Sequence, residues 1–131
     1  MSSPLTDMLS GKSPCHLLVE DGHFAAILEP NPLAEGHAFV FPKQEIDALF
    51  ELDDDMLAAL AVFSKRVATA VKKAVPCVKI AAIAYGVKTR HAHLHLVPVY
   101  GKSGEIDLTR ERAAASESAL AQTAARIRSL L

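Results

Sequence analysis

The stretch His91-Ala92-His93-Leu94-His95-Leu96-Val97 sets three imidazoles at alternate positions. In an extended strand, residues i, i+2 and i+4 share a face. All three rings would then project together, while Ala92, Leu94 and Leu96 project the other way. Histidine has no special strand propensity, so stability alone does not ask for this pattern. Three uses of it compete. One is a hydrogen-bonded histidine ladder on a sheet face. The second is a metal site: two such histidines lie about 6–7 Å apart at Cα, and His37, at the head of another strand, could add a third zinc ligand. The third is catalysis. A neutral imidazole nitrogen can attack phosphorus, and neighbouring rings can hold phosphate oxygens or protonate a leaving group near neutral pH.

The elements that would position these rings follow from the pattern of the chain. Its 131 residues suit a single domain, 1–131, with room for a hydrophobic core. Half the residues are apolar and 22% are charged, as in an ordinary globular protein. With a net charge of −1 and no single-sign block, composition gives no support to electrostatic binding of nucleic acid or membrane. No apolar run approaches the roughly 18 residues of a membrane span, and no export-type h-region opens the sequence. Cys15 and Cys77 are isolated, so reduced thiols and a cytoplasmic location are expected.

Residues 1–13 read as a polar N-terminal segment. The triplets Gly11-Lys12-Ser13 and Gly101-Lys102-Ser103 lack the Gly that a P-loop needs five positions earlier, where Thr6 and Leu96 stand. Cys15–Val19 and His23–Leu28 predict a hairpin closed by Asp21-Gly22, with the glycine supplying a positive φ. Glu29-Pro30-Asn31-Pro32 interrupts the ladder. Gly36–Phe41 predicts a third strand, and Gln44–Leu52 a short helix with Ile46, Leu49 and Phe50 on one face. Asp53 is an N-cap candidate for a long helix that reaches Val75 and stops at Pro76. Its apolar positions 57, 60, 61, 67, 68, 71 and 75 predict that it covers one sheet face. Val78–Tyr85 reads as a strand buried on both faces, and His91–Val99 as its neighbour. Residues 101–115 read as an irregular connection, and 116–131 as a terminal helix. The order of elements predicts an α+β fold, an antiparallel sheet of about five strands packed with a long central helix.

The triplet also resembles the His-φ-His-φ-His-φ-φ signature of the histidine triad (HIT) superfamily of nucleotide hydrolases and transferases. Glu29-Pro30-Asn31-Pro32-Leu33-Ala34-Glu35-Gly36-His37, followed by Ala38-Phe39-Val40-Phe41-Pro42-Lys43, resembles the second hallmark of that superfamily. This hallmark is an acidic residue, a proline-containing loop, Gly-His, a strand and Pro-Lys. The similarity covers nearly the whole chain, most strongly 15–99, and looks closest to the small adenosine 5′-phosphoramidases and dinucleotide hydrolases.

The resemblance implies a role for each matching position. His93 aligns with the nucleophile that attacks the α-phosphate and becomes a nucleotidyl-histidine. His91 and His95 align with positions that orient it and contact phosphate or leaving group, and His37 with a further histidine near the triad. Glu29 aligns with the acidic residue, usually Asp, that holds the ribose hydroxyls. Pro30 and Leu28 would border the base pocket. The resemblance also implies a homodimer and a reaction that requires no cofactor or metal. Two features depart from the family pattern. Gly86-Val87-Lys88-Thr89-Arg90 keeps a glycine before the triad but lacks the usual Gln, and no Asn ends the preceding strand. Either Lys88 or Thr89 replaces those phosphate donors, or Lys88 and Arg90 are solvated turn residues. The CxxC that binds structural zinc in some members is also absent, since Cys15 stands alone. A nucleotide sensor or scaffold without turnover is the alternative from another class, and a zinc-binding protein is the third.

Overall fold

The computed structural model describes residues 2–131; Met1, the first residue of the predicted N-terminal segment, lies outside them. Five strands form one fully antiparallel sheet. They are β1 (Leu17–Glu20), β2 (Phe24–Leu28), β3 (Ala38–Pro42), β4 (Lys79–Ile83) and β5 (Leu94–Val99), in the order β1-β2-β3-β5-β4. Among the described residues, three α-helices complete the fold: α1 (Pro4–Leu9), α2 (Asp54–Ala74) and α3 (Glu117–Ser129). Among the described residues, no helix is long and apolar enough to cross a membrane.

The two-residue period of the strands divides the core in two. Ala26, Leu28, Ala38, Val40 and Leu96 face α2 and α3, where they meet Leu60, Phe63, Val67, Val71, Leu120, Ala124 and Ile127. Ala25, Ile27, Phe39 and Phe41 face the other way and pack under Leu5, Met8 and Leu9 of α1. The register pairs Phe39 with His95 across β3 and β5, so the histidines fall on the α1 face. Both long helices follow their sequence signals. The Asp53 carboxylate accepts from the Met56 N–H at the start of α2, and the Ser116 hydroxyl accepts from the Ala119 N–H at the start of α3.

Four expectations need correction. The N-terminal segment is not simply polar loop. Ser3 caps α1 by accepting from the Thr6 N–H, Pro4 takes the first turn, and Leu5 is buried. The Asp21-Gly22 hairpin forms without a positive φ at Gly22. Instead the Asp21 carboxylate accepts from the N–H groups of His23 and Phe24, each at 2.8 Å, and this closes the turn. Gln44–Leu52 contains only a 3₁₀ turn, Leu49–Glu51, with the Phe50 side chain in solvent. The segment is too short to bury a helical face, and the Glu51 carboxylate tightens it by accepting from the Ala48 N–H at 2.8 Å. The strand predicted at 78–85 is not buried on both faces. β4 is an edge strand, Lys79 and Ala82 are exposed, and Val78 and Tyr85 beyond its ends lie in solvent.

Gly36 is fixed by its surroundings. Its φ is +90°, and a Cβ there would lie 3.2 Å from Val75 Cγ2 and 3.3 Å from Val71 Cγ1. Backbone preference and close packing against α2 therefore both require glycine where the chain turns into His37. Gly36→Ala is expected to destabilise the protein by about 1–3 kcal/mol in urea unfolding. A loss within a few tenths of a kcal/mol would show that the loop adapts without strain.

Candidate active site

The histidine face of the sheet opens into a cavity of about 590 Å³, walled by α1, the Glu29–Asn31 loop, the Tyr85–Thr89 turn and the strap at 108–112. His93 and His95 line it. The hydrogen-bonded ladder of β5 starts only at Leu94, yet the chain before it stays extended enough to keep His91, His93 and His95 on one side. Phe41 meets His91 edge-on, and Phe39 meets His93 and His95 in the same way.

Hydrogen bonds fix which nitrogen of each ring carries the proton. His93 Nδ1 lies 2.7 Å from the His91 carbonyl, which can only accept, so Nδ1–H donates and Nε2 keeps a free lone pair. The Leu33 N–H donates to His37 Nδ1 at 3.0 Å, so the proton of neutral His37 is on Nε2. That Nε2–H donates to His95 Nδ1 at 2.9 Å, which leaves His95 with its own proton on Nε2. The adjacent rings of His93 and His95, with centroids 4.8 Å apart, therefore offer opposite functions: a lone pair on one and an N–H on the other.

Burial keeps these rings neutral. It pushes His37 down to about 3, helped by the nearby His95 and Arg112. His95 falls to about 4, through burial first and then through His93 and Arg112. His93 is also lowered by burial, against the opposing pull of its bond to the His91 carbonyl.

His91 is turned elsewhere. It is fully buried and does not line the cavity. Its Nε2–H donates to the Pro42 carbonyl at 2.7 Å, and its Nδ1 accepts from the Ser3 hydroxyl, the N-cap of α1. The first histidine of the triplet thus ties α1 to the sheet, while its backbone carbonyl orients His93.

Glu29 lines the cavity and is mostly buried. Burial raises its carboxyl above the usual range, against the pull of Arg112 and of the Asn31 N–H. Gly86, with φ of +60°, shapes the turn beside His93, and Lys88 and Thr89 line the cavity from that turn. Arg90 points away to Asp47, at 2.8 Å from Nη2. Leu28 does not reach this cavity: its side chain belongs to the core under α2 and α3, because neighbouring strand residues face opposite sides. Pro30 does not line it either, and its carbonyl accepts from the Ala115 N–H at 3.0 Å.

Two contributors carried no readable sequence signal. Leu5 and Met8 of α1 form part of the wall. Arg112 comes from the irregular 101–115 connection, and its Nη2 lies 3.4 Å from Glu29 Oε1. Only the presence of cations in a polar stretch hinted at it, and no periodicity distinguished it from Arg110. Glu29, His37 and His95 each bring one donor atom within 4.8 Å of the others. However, His37 Nε2 and His95 Nδ1 are engaged with each other and Glu29 faces a guanidinium, so a cation there would break both interactions.

The sequence pattern of the HIT domain matches residues 10–102, and this chain belongs to that family. An uncharacterized HIT-like protein of Methanocaldococcus jannaschii is 29% identical over 103 residues, covering 76% of this chain and 80% of its own length. Adenylylsulfatase HINT3 of Arabidopsis thaliana is 30% identical over 96 residues, covering 70% of this chain but 49% of that longer protein. A hypothetical histidine triad nucleotide-binding protein of Sulfolobus tokodaii superposes with a TM-score of 0.81 at 25% identity, over 95% of this chain and 88% of its own. The family and the five-stranded α+β fold agree with the sequence reading.

The neutral state of His37 and His95 sets a pH dependence. Both are lowered in the folded protein, to about 3 and about 4, while in the unfolded chain they titrate near 6.5. Protons therefore favour the unfolded state below about pH 6.5. The stability these rings contribute is complete above that pH and is lost progressively as pH falls toward 4 and 3. Urea unfolding from pH 7.5 to 4.5 should show this decline, with a shallower slope in His37→Asn. Equal slopes in the two proteins would contradict the assignment.

Proposed function

We propose that this protein is a nucleotide hydrolase or nucleotidyl transferase that cleaves at the α-phosphate of adenosine (purine) nucleotide phosphoramidates or dinucleotides through a nucleotidyl-histidine at His93. Membership of the HIT family supports the broad class. The observation that carries the finer reading is the 2.7 Å bond from His93 Nδ1–H to the His91 carbonyl, which leaves a neutral Nε2 lone pair beside the cavity.

In the first displacement His93 Nε2 attacks phosphorus as the P–N or P–O bond to the leaving group breaks. The amine, phosphate or nucleotide departs with a proton drawn from solvent, and the His91 carbonyl stabilises the imidazolium formed on His93. Water then attacks, the N–P bond breaks, and a nucleoside monophosphate is released. Splitting one difficult step into two is the advantage of the covalent route. His95, held near a pKa of about 4, is suited to donating its Nε2–H to a phosphoryl oxygen as charge develops there. His37 keeps His95 in that tautomer. Gly86 borders the phosphate end, and Lys88 or Thr89 takes the place of the absent Gln and Asn donors. Glu29 receives the ribose hydroxyls.

No cofactor enters this scheme. The free cysteines fit a reducing compartment such as the cytoplasm. The exposed edge of β4, with Val78 and Tyr85 beyond its ends and Val62 of α2 also in solvent, suits association with a second copy as a homodimer.

Quenching the protein and α-labelled adenylyl phosphoramidate in alkaline detergent should trap a labelled protein species that acid then releases. His93→Ala should abolish it and lower turnover by on the order of 10³-fold or more. Binding of AMP with neither label transfer nor turnover in the wild type would instead identify a nucleotide sensor or scaffold.

A further inference from the structure

Arg112 is placed where stability gives it little reason to be. It is mostly buried, with its Nη1 enclosed and without a hydrogen-bond partner among the described residues. Among the described residues its one acceptor is Glu29, at 3.4 Å, longer than a strong charge-assisted hydrogen bond. A guanidinium carries five N–H donors, and burying one so sparsely paired costs folding free energy. Local geometry nevertheless holds it inward. The strap is fastened on both sides of Arg112 to the loop that carries Glu29: the Ala115 N–H donates to the Pro30 carbonyl at 3.0 Å, and Arg110 Nη2 reaches the Leu33 carbonyl at 3.4 Å. The strap therefore delivers the Arg112 guanidinium to the Glu29 carboxylate at the cavity wall.

We propose that Arg112 is the specificity-determining positioning residue of the nucleotide site: by clamping the Glu29 carboxylate, it makes the site select sugars with free 2′- and 3′-hydroxyls. This rests on reading Glu29 as the sugar contact. An ionised carboxylate accepts from two hydroxyls, whereas a protonated one offers an O–H and loses much of that preference. Burial favours the protonated form of Glu29, and Arg112 is the largest opposing influence. Other charged or titratable groups around the carboxylate are His37 and His95 on the sheet, Arg110 and Glu111 on the strap, and the Glu35–Arg126 pair across a second cavity behind it. The two histidines are held neutral, and Glu35 and Arg126 are spent on each other. Arg110 reaches the Leu33 carbonyl instead, and among the described residues Arg112 is the cation that pairs with Glu29.

The experiment compares calorimetric affinities for AMP and for 2′,3′-dideoxyadenosine 5′-monophosphate in wild type, Arg112→Gln, Arg112→Lys, Glu29→Gln and the double Gln variant, with thermal unfolding confirming that each is folded. Arg112→Gln should weaken AMP about tenfold at pH 7 with little change for the dideoxy nucleotide. Its acidic limb for AMP binding should also move to higher pH, because Glu29 loses its counter-charge. Arg112→Lys should restore most of the preference, and the double variant should lose no more selectivity than Glu29→Gln alone. Equal weakening of both nucleotides by Arg112→Gln, or none, overturns the inference and leaves Glu29 as the sugar contact if Glu29→Gln is selective. If Glu29→Gln is not selective either, the reading of Glu29 falls, and the role of Arg112 falls with it.

Discussion

A backbone carbonyl and a backbone N–H decide the chemistry of this site. The His91 carbonyl takes the Nδ1–H of His93, and the Leu33 N–H fills Nδ1 of His37. Neither backbone group can exchange its role, so neither ring can choose its tautomer. The first constraint exposes a lone pair at His93 Nε2. The second passes through His37 to His95 and leaves an N–H there. Burial prevents the ambiguity that a further proton would introduce. A lone pair and an N–H donor thus stand side by side on two residues of identical type, distinguished by what holds their far edges.

The rest of the fold can be understood as keeping those edges in register. Phe39 pairs with His95 across β3 and β5, so a one-residue slip would turn the triad toward α2. The Gly36 turn, pressed against Val71 and Val75, sets where His37 enters the sheet. α1 closes the same face through Leu5 and Met8, and its cap, Ser3, is held by His91. The triplet therefore divides its labour. His91 fastens the wall and lends its carbonyl, His93 presents a lone pair, and His95 presents a proton.

Much of this is legible in the sequence because it is periodic or capped. The alternation through 91–97 places the three rings on one face, and Asp53 and Ser116 announce α2 and α3. What the sequence conceals depends on contacts between distant positions. Arg112 reaches Glu29 from 83 residues away, out of a stretch with no secondary structure. The two-sided burial expected of the 78–85 strand fails because its apolar run lies at a sheet edge, and composition does not reveal strand order. Family resemblance puts Leu28 at the base pocket beside Glu29, yet it packs into the helical core on the opposite face. α1 falls in a stretch read from the sequence as a polar segment, and so short a helix persists through packing on Ile27, Phe39 and Phe41 and through the Ser3–His91 bond.

The central claim is that hydrogen bonding alone gives His93 a free Nε2 and His95 an Nε2–H. Long-range ¹H–¹⁵N correlation spectra of the protein labelled with ¹⁵N in its histidine rings, recorded near pH 7, test it directly. The account predicts His93 as the Nδ1–H tautomer, and His37 and His95 as Nε2–H tautomers, all three neutral. An Nε2–H tautomer at His93, or a doubly protonated His95, would contradict it.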